Sequence, residues 1–272
     1  TPFLGTPQEI APDVDPREVL ADWMLAPENP YFAEVAVNRV WAELMGRGFV
    51  DPVDDLRGTN PPTNAALLEA LASHFREGGF DLKQLIRTIA VSEVYRLSSL
   101  PNERNVADTK NYSRHYRRRL RAEVLHDAIC DVAGFEARFT GMPPGSRAVE
   151  IWTHRIDSDF LDAFGRPDAN QDPPCERTTD TTMVQSLHLM NAPKLHEAVS
   201  SDEGQAAELA ASDRSTDELL EALYLRVYSR SPTDDQPRAA GDLFAEPGAD
   251  RRQLVEDLMW AMINTPEFVF IN

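Results

Sequence analysis

FLDAFGRPDANQDPPCERTTDTTMVQSLHLMN, Phe160–Asn191, is the stretch from which the fold is read. It opens with a short helical turn, FLDAFG, stopped by Gly165. A polar, proline-rich loop follows. It closes in a helix whose Met183, Leu187 and Met190 recur at helical spacing as the apolar face, with Gln185 and His188 on the neighbouring face. Helix, loop and helix follow one another without the alternation of a strand.

The same pattern repeats on both sides. Toward the N-terminus, Asp15 caps a helix with Pro16 at its first position and Val19, Leu20, Trp23 and Met24 as its stripe. A second helix, from about Tyr31 to Met45, is expected to bury Phe32, Val35, Ala36, Val40 and Leu44, and Gly46 and Gly48 stop it. Leu67, Leu68, Leu71 and Phe75 give a third. Asp81 caps a fourth, with Leu82, Leu85, Ile86, Ile89 and Val94 inward.

LSSLPNERNVADTKNYS is polar and aperiodic and reads as a linker. Beyond it, RHYRRRLRAEVLHDAICDVAG reads as one helix that turns from basic to amphipathic, and AVEIW as a short strand. Later, Ser215 with Glu218 and Thr233 with Gln236 form capping boxes, Asp250 caps the last helix, and the apolar tail TPEFVFIN is expected to pack.

The fold class is therefore all-α: about ten helices in a multi-helix globular domain of two helical lobes, with one long polar loop and little or no strand. The lobes are residues 1–100 and 101–272, the second holding the loop 160–191; one continuous domain fits the same pattern.

A chain of 272 residues holds one large domain or two modest ones. Its 27 basic and 45 acidic residues give a net charge of −18. Such a surface repels phosphate, so neither nucleic acid nor an anionic membrane is an expected partner. No apolar window reaches the roughly 18 residues of a membrane span. The first residues, TPFLGTPQEIAPDVDP, lack the basic and apolar regions of a signal peptide. GxGxxG, Walker A, HExxH, GxSxG and EF-hand patterns are absent, as is CxxCH, so no haem is expected on this chain and no cofactor is assigned to it.

The candidate site is the polar loop with the helix after it: Arg166, Cys175, Glu176, Arg177, Gln185 and His188, with His154 as a further imidazole. Paired guanidiniums can clamp a carboxylate, sulfate or acidic sugar. Equally, they can form a polar network that ties the loop to the core. Cys175 needs a base such as His154 or His188 to act as a nucleophile, and no closely spaced ligand pair points to zinc. Cys130, in an apolar helical stretch, reads as a buried thiol, with a Cys130–Cys175 disulfide as the alternative. His74, His115, His126 and His196 show no partner pattern. Asn38, Arg39 and Trp41 read as residues that hold the DPVDDL loop, and the Arg114–Arg121 run as one paired within the molecule.

Several of these stretches together resemble a known family: NPYFAEVAVNRVWAELMGRGFVDPVDDLRGTNPP, RRRLRAEVLHDAI, MPPGSRAVEI, FLDAFGRP, CERTTDTTMVQSLHLMN and MINTPEFVFIN, in that order from about Asn29 to the end. They resemble the C-terminal domain of unknown function fifteen fifty-three of large exported planctomycete proteins. The resemblance implies export to the periplasm or cell surface and fusion to carbohydrate-binding modules or c-type cytochrome modules, with haem in those neighbours. It also implies a setting of polysaccharide and sulfate-ester metabolism. It carries no activity. The family often shows CxCER; here Pro173 stands at the first cysteine, which argues against a two-thiolate site.

The functional expectation is a binding module that docks a partner domain or holds an acidic saccharide at the Arg/Cys/Glu/His pocket. The alternatives are an enzyme of polysaccharide breakdown, oxidative and fed by a cytochrome, and a structural spacer.

Overall fold

Side-chain caps set where most helices of this protein begin. A computed structural model describes residues 10–167, 177 and 181–271. These are 51% helical, with 2% in strands. They form two compact units, one ending at Arg117 and the other running Arg118–Ile271.

In the first unit, α1 (Pro16–Leu25) starts at Asp15, which accepts from Arg17 N. Helix α2 (Tyr31–Met45) ends on left-handed Gly46. Asn64 caps α3 (Ala65–Glu77), and Asp81 caps α4 (Leu82–Ala90). The core joins Ala33, Val37, Trp41 and Met45 of α2 to Leu68, Leu71 and Phe75 of α3, Leu85 and Ile89 of α4, and Phe49 and Tyr112.

The deepest row of α2 is thus offset by one residue from the expected one. Val40 and Leu44 sit half-buried beside it, because α2 is apolar over a wide arc and packs against α3 and α4 together. In α4, Leu82 and Ile86 face outward, so its buried edge is narrower than its apolar one.

The stretch expected as a linker is folded. Asp108 accepts from the backbone of Lys110, Asn111 and Ser113, and Tyr112 enters the first unit's core, donating from its hydroxyl to Arg47 O at 3.2 Å.

The second unit opens with β1 (Arg118–Arg119), antiparallel to β2 (Phe270–Ile271), Arg118 facing Ile271 and Arg119 facing Phe270. The apolar tail therefore packs. Here the basic run departs from the expected long helix. Like charges three and four residues apart disfavour a helix, and pairing with the tail takes Arg118 and Arg119, so α5 (Ala122–Ala133) starts only after Arg121.

AVEIW forms a 3-10 turn, Ala148–Glu150, rather than a strand, because its backbone N–H groups find Asp127. Then come α6 (Asp159–Ala163), α7 (Met183–Asn191), α8 (Pro193–Val199), α9 (Gln205–Ala211), α10 (Thr216–Tyr228), α11 (Gln236–Phe244), α12 (Arg251–Ile263) and α13 (Pro266–Val269). The Ser215/Glu218 box caps α10, and Asp250 caps α12. Only half of the second expected box forms: Gln236 accepts from Thr233 N, and Asp235 is the cap residue of α11. Leu125, Ile129, Leu161, Phe164, Leu219, Leu223, Val255, Met259 and Ile263 form the core.

Candidate functional site

Helix α6 ends as its sequence demands. Gly165 takes φ 83°, and Arg166 N reaches back to Leu161 O. This turns Arg166 inward, with its side chain 3% exposed, and its Nε donates to Asp162. Its Nη1 is shielded and has no acceptor.

Helix α7 begins at Met183, where Thr182 and Gln185 cap each other's backbone. Gln185 is buried, and its Nε2 donates to Ala163 O at 3.1 Å, which locks α7 against α6. His188 is half-buried and meets Phe160 and Phe164 edge-on, at ring distances of 5.6 and 6.1 Å. Those two rings stack on each other at 4.4 Å. Arg119 lies over Phe164 at 5.4 Å and donates to Phe164 O at 2.9 Å. Burial pulls its pKa down from the usual guanidinium value.

Arg177 is held elsewhere. Its Nη1 donates to both oxygens of Glu123 on α5, at 2.9 and 2.7 Å. The two arginines thus hold two different carboxylates, Asp162 and Glu123. His154 is half-buried on the turn after the 3-10 helix. Cys175 and Glu176 lie outside the described residues. Arg166, Gln185 and His188 therefore each contact α6 or its end, through Asp162, Ala163 O and the Phe160–Phe164 pair, and Arg177 joins α5 to the chain just before α7.

Since Arg177 is 38% and Glu123 16% exposed at the side chain, the pair is only partly shielded from water. A double-mutant cycle on Arg177→Ala and Glu123→Ala should return a coupling of about 0.5 kcal/mol from urea unfolding. A coupling above about 2 kcal/mol would show a desolvated pair and contradict this account.

The comparison with protein families matches residues 16–244 to PSD1, described as a protein of unknown function (DUF1553). The chain belongs to this family. No curated protein and no solved structure matches the chain. The matched span covers most of each unit and the whole α6–α7 junction, and ends before α12.

Beside that junction the PSD1 chain carries a group that reading for single residues missed. His126, Asp127 and Cys130 share α5. His126 meets Phe160 at 5.3 Å, and its Nδ1 lies 3.6 Å from Cys130 Sγ. The signal was present in HDAIC, whose His and Cys stand one helical turn apart.

The chemistry of this pair is inert. Burial, with Asp127 and Asp131 behind it, pushes the Cys130 thiol up to about 12. Burial pulls the His126 imidazole down, against the pull of Asp127. A neutral thiol beside a neutral imidazole is the reverse of an activated nucleophile. Cys130 is a free, buried thiol, as its apolar helix implied. Among the described residues no group of three or more His, Cys, Asp or Glu is placed to hold a metal ion, and no helix is long and apolar enough to cross a membrane.

The apolar stripe of α7 is the largest departure from expectation. Met183, Val184, Leu187 and Met190 are 81, 64, 53 and 54% exposed. The face turned inward is the one bearing Gln185 and Leu189. Gln185 is drawn in because its amide satisfies both the helix start and the end of α6, and this rotates the larger apolar side chains outward.

Proposed function

We propose that this chain is a docking module, and that the outer face of α7 is its contact surface. The observation that carries this reading is the exposed row Met183, Val184, Leu187 and Met190. These occupy positions i, i+1, i+4 and i+7, the spacing by which a helix enters an apolar groove. The nine residues of α7, MVQSLHLMN, include no Asp, Glu, Lys or Arg, although those four types make up 26% of the chain.

The partner is a different protein domain with an apolar groove and a basic rim. Two copies of a chain at −18 repel each other, whereas a basic rim is attracted. Internal pairing of Arg166 and Arg177 favours this reading over a clamp for an acidic saccharide. On this reading the chain works within an exported multidomain protein, and the partner is a cytochrome-type or carbohydrate-binding module of the same or a neighbouring protein.

The test is calorimetric titration of such modules, produced separately, into the wild-type chain and into a Met183→Asp/Leu187→Asp variant. Both positions are exposed, so the variant should keep its far-ultraviolet circular dichroism. Binding should weaken at least about a hundredfold, since charges would enter an apolar groove. Equal binding by the variant, or none by the wild type, would refute the reading. Self-association in sedimentation would replace the partner with a second copy.

A further inference from the structure

Phe160 stands between two imidazoles. His126 of α5 meets its ring edge-on at 5.3 Å, and His188 of α7 does so at 5.6 Å. One ring of α6 thus joins α5 to α7, and Phe164 stacks on it at 4.4 Å. We propose that this His–Phe–His bridge is an acid-sensitive latch, in which a proton on His126 loosens α6 from α5, and α7 with it. On the reading of α7 as the contact surface, on which this consequence rests, the docking face is held at neutral pH and released in mild acid.

The surroundings of His126 suit a neutral ring. Its side chain is 17% exposed and lies between Phe160 and Phe139, whose ring is 5.4 Å away. From Nδ1, Cys130 Sγ is at 3.6 Å and Asp127 Oδ1 at 3.7 Å. Aromatic rings and a thiol solvate a charge far less well than water does, so an imidazolium here costs desolvation.

Asp127 is placed to offset that cost, but its oxygens already accept from Ala148 N, Val149 N and Arg147. Lys194 of α8 acts the other way, as a like charge. Other charges around α5 are engaged: Glu123 with Arg177, Asp131 with Arg147, Asp162 of α6 with Arg166, and Glu208 of α9 with the Gln205 amide. His188 adds a second titratable ring on the far side of Phe160. Desolvation outweighs the pull of Asp127, so burial holds the His126 imidazole below the usual histidine pKa. As pH falls, an opened or unfolded chain therefore takes the proton first. The contact is at full strength above the ordinary histidine value of about 6.5 and is lost as pH falls through the folded value.

Loosening reaches α7 because α7 is held on α6. His188 leans on Phe160 and Phe164, and Gln185 Nε2 donates to Ala163 O at 3.1 Å. Helix α6 has only 5 residues, too few to keep its shape without its neighbours.

The experiment is amide hydrogen exchange on the full chain at about pH 7.5 and about pH 5.5, with each rate corrected for the intrinsic effect of pH. Protection of the α7 amides should fall about threefold or more at the lower pH, while α2 in the first unit keeps its own. His126→Gln should make α7 protection equal at the two pH values, and His188→Gln should leave most of the fall in place. Should His126→Gln fail to fold, His126→Phe keeps a neutral ring between α5 and α6 and takes its place. Unchanged wild-type protection, an equal fall in the neutral variant, or a fall abolished only by His188→Gln would overturn the latch. Partner titrations separate the two readings. No partner with the pH response intact strikes the docking reading alone, and a bound partner with no pH response strikes the latch alone.

Discussion

Asp127→Ala should destabilise the second unit by about 3 kcal/mol, one of the two largest effects expected of a single polar substitution in this chain. Asp127 is 3% exposed, yet its carboxylate is fully employed. Oδ1 accepts from Ala148 N at 2.7 Å, and Oδ2 accepts from Val149 N at 3.1 Å and Arg147 Nε at 3.5 Å. These donors belong to the first residues of the 3-10 turn, whose amides have no partner within the turn itself. Alanine would leave the buried Ala148 N–H and the part-buried Val149 N–H without their acceptor, and Arg147 with half its anchorage, held by Asp131 alone at 3.0 Å. Asp127→Asn keeps the shape and one acceptor, so roughly half the loss is expected. The measurement is the urea midpoint followed by far-ultraviolet circular dichroism. A loss below about 1 kcal/mol for alanine would show that water replaces the carboxylate, and the anchor would not exist.

How far the sequence carried can be judged at such residues. Caps were legible because they are local: Asp15, Asp81, Ser215 and Asp250 each bond within three residues, and all four start helices. Gly165 was legible for the same reason. Which face of a helix turns inward was less so. In α2, an arc of apolar residues wider than one face left the deepest row to be chosen by two partner helices. In α7, one buried amide outweighed four apolar side chains. Asp127 was hidden because its partners lie 21 and 22 residues away, in a stretch that reads as a strand. Arg166 and Arg177 stand out in the sequence as guanidiniums in and beside a polar loop, but their partners Asp162 and Glu123 had to be found in space.

Asn38→Ala is the second large effect, again about 3 kcal/mol, this time in the first unit. Asn38 is fully buried in the middle of α2, where asparagine is a poor helix former. Its amide compensates by holding the loop beyond the helix. Nδ2 donates to Val50 O at 2.9 Å and Val53 O at 2.8 Å, and Oδ1 accepts from Val50 N at 3.1 Å. The loop approaches so closely that a Cβ on Gly48 would stand 2.4 Å from Val50 O and 2.9 Å from Asn38 Oδ1. Only glycine fits there, which explains the second glycine after α2. The loop in turn fixes Phe49, stacked on Trp41 at 4.3 Å in the core. Alanine would leave three shielded backbone groups unpaired and loosen that stack. Asn38→Asp should be at least as damaging, since a carboxylate has no hydrogen to give to two carbonyls. The adjacent Arg39 provides the control. It binds Asp54 of the same loop through two bonds of 2.7 Å, but both side chains are more than half exposed. Arg39→Ala should therefore cost about 0.5 kcal/mol. The comparison is read from urea midpoints and from the near-ultraviolet signal of the Trp41–Phe49 stack. If the two alanine variants lose equal stability, the loop is held by charge rather than by the buried amide, and Asn38 is not its anchor.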